Sequence, residues 1–175
     1  GTGDLSTRKL LPALFQLHRH KLTARLHRII ATGRSELDTE VFRNSTHDNL
    51  LRSLPDQCWD ESAWESFRDR LVYHQLHAAE ADNYRSLAEL LNGGEAPERL
   101  YYLATLPSLY GTICQQLQQA GLVNPESRVV LEKPLGHDLA SCQQIIAGIA
   151  RNGCNIGGGR QIGVGLNTSG PVRYD

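Results

Sequence analysis

The chain has 175 residues, a formal net charge of −1 and 40% hydrophobic residues. That is enough for one domain with a real core, with no global field that selects nucleic acid or a membrane surface. Its four cysteines, Cys58, Cys114, Cys142 and Cys154, form no CxxC pair and match no histidine pair. This argues against a metal site and a disulfide framework and implies a reducing, cytoplasmic setting.

The charge is uneven along the chain. Residues 1–34 carry seven Lys/Arg against one acid, Asp4, and residues 36–98 carry fourteen acids against five arginines. The basic residues are diluted with leucine and lack interleaved aromatics, so no nucleic acid partner is expected. No run is long enough to span a bilayer and no signal peptide is visible. Methionine is absent even from position 1, which predicts a chain that begins downstream of a natural start.

Taken in order, the elements alternate. Residues 5–20 place Leu10, Leu14 and Leu17 on one helical stripe, with Pro12 either kinking the helix or lying in its first turn. "RIIATG" (28–33) and "RLVYHQL" (70–76) read as strands. "RLYYLAT" (99–105) and "RVVLE" (128–132), rich in aromatic or β-branched residues, are stronger strands. Helices are predicted over 83–92, 107–120 and 138–150, the last capped by Asp138. Strands and helices of these lengths indicate βαβ units. The fold class is therefore α/β: a mostly parallel sheet with helices on both faces. Half of the sixteen glycines fall in the last 28 residues. We expect a poorly ordered glycine-rich tail over 148–175, or one short strand at "QIGVGLN".

Three places could touch a ligand. "GTGDLSTRKLLPALF" opens the chain with a glycine pair, an acid and a helix. Gly1, Thr2, Gly3, Asp4 and Leu5 form either a phosphate-cradling loop at a helix N-terminus or a plain turn. The full GxGxxG fingerprint is absent. Next, Arg34 follows the strand ending "ATG". In a dinucleotide fold an acid here binds the ribose 2′-hydroxyl and an arginine accommodates a 2′-phosphate. Arg34 is either that arginine, a bidentate fork favouring NADP over NAD, or an ordinary surface residue, with Glu36 and Asp38 slightly beyond. Last, "RVVLEKPLGHDLAS" delivers Glu132 and Lys133 to the carboxyl end of a strand, where open α/β sheets bind ligands.

Four strings, "GDLSTRKLLPALFQL", "GRSELD", "YYLATLPSLYGTIC" and "RVVLEKPLGHDLAS", resemble in order and spacing the coenzyme domain of glucose-6-phosphate dehydrogenase over roughly residues 1–147. The resemblance implies a Rossmann-like, doubly wound, NADP-binding domain over 1–147, with NADP as cofactor and glucose 6-phosphate as substrate, oxidised to 6-phosphogluconolactone at the entry to the oxidative pentose phosphate pathway. It implies that Gly3, Asp4 and Leu5 match the second half of the coenzyme loop, Arg34 the 2′-phosphate arginine and Tyr110 a coenzyme-side aromatic. Lys133 matches the lysine shared by coenzyme and sugar phosphate, with Glu132 orienting it or lying near the nicotinamide. The family is usually homo-oligomeric through a second domain.

The departures are as informative. The family's DHYLGKE motif and its catalytic histidine have no counterpart, so no catalytic residue is expected. Histidines 18, 20, 27, 47, 74, 77 and 137 read as structural, with His74 and His77 facing opposite sides of a strand and His77-Ala78 standing where the family often has an acid. Two readings remain: a coenzyme-binding fragment of the enzyme, its tail a frame error or truncation, or a non-catalytic NADP-binding or regulatory module. Under either, turnover by this chain alone is expected to be absent. The family's first strand is expected to be missing. Each buried polar group left unpaired there costs about 1–3 kcal/mol, against a domain margin of about 5–15 kcal/mol. The chain made alone is therefore expected to be unstable or to aggregate, and a sharp cooperative thermal melt would contradict this.

Overall fold

A computed structural model describes residues 3–92, 98–132 and 138–156. The chain divides into two units, Gly1–Asn83 and Tyr84–Asp175. The described strands are all parallel, as expected, two in the first unit and three in the second.

In the first unit a π-helical turn, Ser6–Leu10, runs directly into α1, Leu11–Arg19. Pro12 lies at the start of α1, directly after the π-helical turn, where Leu11 N still donates to Ser6 O; having no N–H, it cannot continue that ladder. At the other end of α1, Lys21 adopts φ 59°. Leu22 N donates to Leu17 O over 2.9 Å and Lys21 N to His18 O over 2.8 Å. This is a helix stop that glycine fills most readily.

Strand β1, Ile29–Gly33, pairs with β2, Leu71–Gln75, from Ile29 opposite Leu71 to Gly33 opposite Gln75. Parallel neighbours need a long crossover. Two helices make it, α2 (Thr39–Ser53) and α3 (Glu61–Arg68). Neither is among the helices expected from the sequence. Their N-caps are readable signals: the Asp38 side chain accepts from Glu40 N, and that of Asp60 from Ala63 N. The apolar stripe of α2 is thin, Phe42, Thr46 and Leu50, whereas α3 buries Trp64 and Phe67 one turn apart. Arg43 pins α2 to β2, donating from Nε to Leu71 O over 2.9 Å and from Nη1 to Glu40 Oε1 over 2.5 Å. The core gathers Leu11, Phe15, Ala31, Phe42, Leu50, Trp64, Phe67, Leu71 and Tyr73.

The second unit repeats the logic. Helix α4, Ala81–Asn92, precedes β3, Leu100–Leu103. Helix α5, Tyr110–Gln119, leads to β4, Arg128–Leu131, and α6, Leu139–Arg151, to β5, Asn155–Ile156. The sheet order is β3-β4-β5. Leu103, Tyr110, Cys114, Val129, Ile149 and Cys154 form its core. Cys114 and Cys154 are unbridged, and the hydrogen bond to Cys154 together with burial pushes the Cys114 thiol up. Helix α6 forms where a helix was expected over 138–150, and β5 follows it. The possible strand at "QIGVGLN" lies outside the described residues.

One core-edge histidine gives a pH-dependent test. His18 Nδ1 lies 3.0 Å from Thr23 Oγ1 and Nε2 lies 2.7 Å from Ser66 Oγ. Burial, and secondarily the Arg70 charge, lowers its pKa from 6.5. The folded state then binds fewer protons than the unfolded chain between the lowered value and 6.5. Stability should fall as pH drops through that window and level off below it. An NMR titration should place the His18 midpoint below 6.5, and His18→Gln should flatten the stability profile there. A midpoint at or above 6.5 would refute this.

Candidate functional site

In the first unit the candidate ligand groups stand at the chain start and at the carboxyl ends of β1 and β2. Gly3 is an exposed bend and Asp4–Leu5 are already helical. A Cβ added at Gly3 would meet nothing within 4 Å among the described residues. The Asp4 carboxylate is 2.6 Å from Arg8 Nε, with both side chains about three-quarters exposed. Thr7 N donates to Gly3 O over 3.1 Å, closing the first turn. Gly1 and Thr2 lie outside the described residues.

Arg34 follows β1 directly. Its side chain is exposed and makes no hydrogen bond or ion pair with any described residue. Its backbone, by contrast, is fastened: Gln75 Nε2 donates to Arg34 O over 3.0 Å, and Tyr73 hydroxyl donates to Ser35 O over 2.7 Å. Leu76 N also donates to Gly33 O over 2.8 Å. A held backbone presenting an unpaired guanidinium is what a phosphate needs. Asp38 does not compete for it, because its carboxylate caps α2.

Sequence reasoning missed the fasteners. Tyr73, Gln75 and Thr39, whose hydroxyl accepts from Tyr73 N over 3.2 Å, carry no motif. Their role depends on strand register. It also treated His74 and His77 as members of one strand. Strand β2 ends at Gln75, so His77 lies beyond it. His74 Nε2 is 3.0 Å from Asn83 O, and His77 N donates to Asn83 Oδ1 over 2.7 Å. One asparagine thus holds both residues. No group of three or more His, Cys, Asp or Glu among the described residues could hold a metal ion.

In the second unit Tyr110 opens α5 and is 1% exposed. Its hydroxyl donates to Glu132 O over 3.4 Å, and burial raises its pKa above 10 although that contact works the other way. Its ring belongs to the core, and its hydroxyl reaches the residue just past β4. Glu132 is half-buried there. Lys133, Pro134, Gly136 and His137 lie outside the described residues. The chain re-enters at Asp138 in a capping box: Ser141 N donates to Asp138 Oδ1 over 2.8 Å, and Asp138 N to Ser141 Oγ over 3.1 Å. A depression of about 440 Å³ lined by Gln118, Val123, Asn124, Pro125, Asn152 and Gly153 lies at the amino ends of β4 and β5, the opposite end of β4 from Glu132. No helix among the described residues is long and apolar enough to cross a membrane.

Three comparisons bear on this arrangement. The family described as "Glucose-6-phosphate dehydrogenase, NAD binding domain" matches residues 1–153. Glucose-6-phosphate 1-dehydrogenase of Mycolicibacterium smegmatis is 41% identical over 149 residues, covering 83% of this chain and 30% of that protein. That of Gluconobacter oxydans is 40% identical over 152 residues, covering 86% and 31%. The solved glucose-6-phosphate 1-dehydrogenase from Mycobacterium avium superposes with a TM-score of 0.77 at 28% identity, covering 86% of this chain and 31% of that one. A glucose-6-phosphate dehydrogenase solved with its substrate glucose-6-phosphate gives a TM-score of 0.73 at 29% identity, covering 85% and 32%. The chain thus spans about 30% of the length of the curated relatives it matches.

The capping box yields a stability prediction. Asp138→Ala should cost about 1 kcal/mol, read as a lower urea midpoint, while Asp138→Asn should keep most of the stability. Equal loss for both would mean the charge, not the cap, matters.

Proposed function

The chain belongs to the family of the glucose-6-phosphate dehydrogenase NAD-binding domain, and from that premise we propose that it binds NADP as the coenzyme-binding part of an enzyme that oxidises glucose 6-phosphate to 6-phosphogluconolactone. The observation that carries the choice of NADP is the exposed Arg34 guanidinium, unpaired among the described residues, on a backbone held by Gln75 and Tyr73. A ribose 2′-phosphate supplies two oxygens that accept from this fork. A 2′-hydroxyl would leave it without an anion.

The other roles follow from position. The turn at Gly3, Asp4 and Leu5, continuing from Gly1 and Thr2, receives the pyrophosphate, because first-turn N–H groups lack acceptors within the helix. Bound NADP supplies the hydride acceptor. Glu132 stands at the carboxyl end of β4, held through its carbonyl by Tyr110. Tyr110 is in this reading a positioning residue. Lys133, the next residue, contacts coenzyme and sugar phosphate, an assignment that rests on the "EKPLG" string. The proton leaving the sugar hydroxyl needs a base, and no histidine of this chain is assigned that task.

The test is coenzyme choice. Arg34→Ala should weaken NADP roughly 10- to 100-fold, the value of one or two hydrogen bonds to a charged group, and change NAD by less than about threefold. Kd values for both coenzymes, measured on the chain in its longest native form, decide it. Equal loss for NADP and NAD would sink the role of Arg34.

A further inference from the structure

Beside Arg34 stands a hydrogen-bonding group that the proposed function leaves unused. Gly33 pairs with Gln75, so the last residue of β2 lies level with the end of β1. The Gln75 residue is exposed, and its Nε2 donates to Arg34 O over 3.0 Å. A carbonyl oxygen only accepts, so the atom facing it is the amide nitrogen, and this contact fixes which end of the carboxamide is which. The same nitrogen faces His77 Nε2 across 3.5 Å. His77 N donates to Asn83 Oδ1 over 2.7 Å, which holds the segment beyond β2. The other end of the carboxamide, Oε1, accepts from no described residue.

Gln75 thus presents an oriented acceptor at the carboxyl end of β2, where open α/β sheets bind ligands. The covalent order of a dinucleotide says which part of it arrives there. With the pyrophosphate at Gly3, Asp4 and Leu5 and the 2′-phosphate at Arg34, the ribose lies between them. The base hangs from the sugar carbon next to the one that bears the 2′-phosphate, on the side away from the pyrophosphate chain. It is therefore carried past Arg34, and the strand paired with β1 is β2. The exocyclic amino group is adenine's one N–H donor. A donor of that kind needs an acceptor such as a carboxamide oxygen.

We propose that Gln75 reads the coenzyme's base: its Oε1 accepts from the adenine amino group, while the nitrogen of the same carboxamide keeps the Arg34 main chain in place. Gln75 is then a specificity-determining residue. It favours adenine over hypoxanthine, whose carbonyl at the same position sets two oxygen acceptors against each other. The contact does not involve the 2′-phosphate, so the preference belongs to NAD and NADP alike. Placing the base here rests on the NADP reading of Arg34 and goes beyond it.

The experiment measures Kd for four probes, NADP, NAD and the hypoxanthine analogue of each, on wild type, Gln75→Leu, Gln75→Lys and Arg34→Ala, using the chain in its longest native form. Wild type should bind the adenine member of each pair about fivefold more tightly, the value of one neutral hydrogen bond. Gln75→Leu, with neither donor nor acceptor, should bring both ratios within about twofold of unity. Any loosening of Arg34 that it causes acts on both members of a pair and cancels in the ratio. Gln75→Lys keeps a donor for Arg34 O but offers no acceptor, so it should remove the adenine preference or reverse it. Arg34→Ala should keep both adenine-to-hypoxanthine ratios while weakening NADP relative to NAD. If wild type shows no adenine preference, or if the preference survives in both Gln75 variants, the role of Gln75 is overturned, while an Arg34→Ala loss confined to NADP leaves the NADP reading intact. If wild type binds none of the four probes, both readings fall.

Discussion

Parallel pairing of β1 with β2, Ile29 opposite Leu71 and Gly33 opposite Gln75, is the constraint on which the first unit depends. A parallel pair cannot be closed by a tight turn. The 37 residues from Arg34 to Arg70 must therefore leave the sheet and return. They do so as α2 and α3, whose buried Phe42, Leu50, Trp64 and Phe67 cover Leu71 and Tyr73. Arg43 secures the return at the Leu71 carbonyl. The same register decides which side chains meet where the strands stop. Tyr73 and Gln75, two residues apart and so on one face, reach across to the carbonyls of Ser35 and Arg34.

Rigid backbone and free charge are thereby combined in one residue. The Arg34 main chain is tied to β2, while its guanidinium pays no desolvation cost and has no competing carboxylate among the described residues. Asp38, close in sequence, is withdrawn by its capping bond to Glu40 N. A binding group held this way loses little conformational freedom when an anion arrives. The Asp4–Arg8 pair near the chain start is so exposed that solvent screening leaves it little energetic weight. It orders the surface of the first turn rather than holding the fold.

The second unit solves the same problem with smaller parts. Its central strand β4 has β3 on one side and the two-residue β5 on the other. Tyr110 fills the core beneath β4 and sends its hydroxyl to Glu132 O, so core packing and the end of the strand are coupled through one side chain. Beyond the next segment the Asp138–Ser141 box fixes where α6 begins. The "EKPLG" string is thus bracketed by two anchored points, a buried tyrosine before it and a helix cap after it. The 3.4 Å hydroxyl contact is long, so burial of the ring contributes more to that anchor than the hydrogen bond does.

The sequence by itself determined the four longer strands, the α/β class, Asp138 as a cap and the family. Each of these is local, carried by period, by turn chemistry or by a contiguous string. It did not reveal α2, because the stripe of Phe42, Thr46 and Leu50 in a polar helix is too thin to stand out. Helix α3, with Trp64 and Phe67 one turn apart behind the Asp60 cap, carried a readable pattern. Arg34 was legible as a candidate because it directly follows a strand ending in glycine. Its holders were not: Gln75 and Tyr73 sit about forty residues away, and nothing in their own neighbourhoods distinguishes them from other strand residues. The register of the parallel strands, and the meeting of Gln75 with the Arg34 backbone, were decided by tertiary structure alone. Pairing register is a property of two segments at once, and no local pattern in either one encodes it.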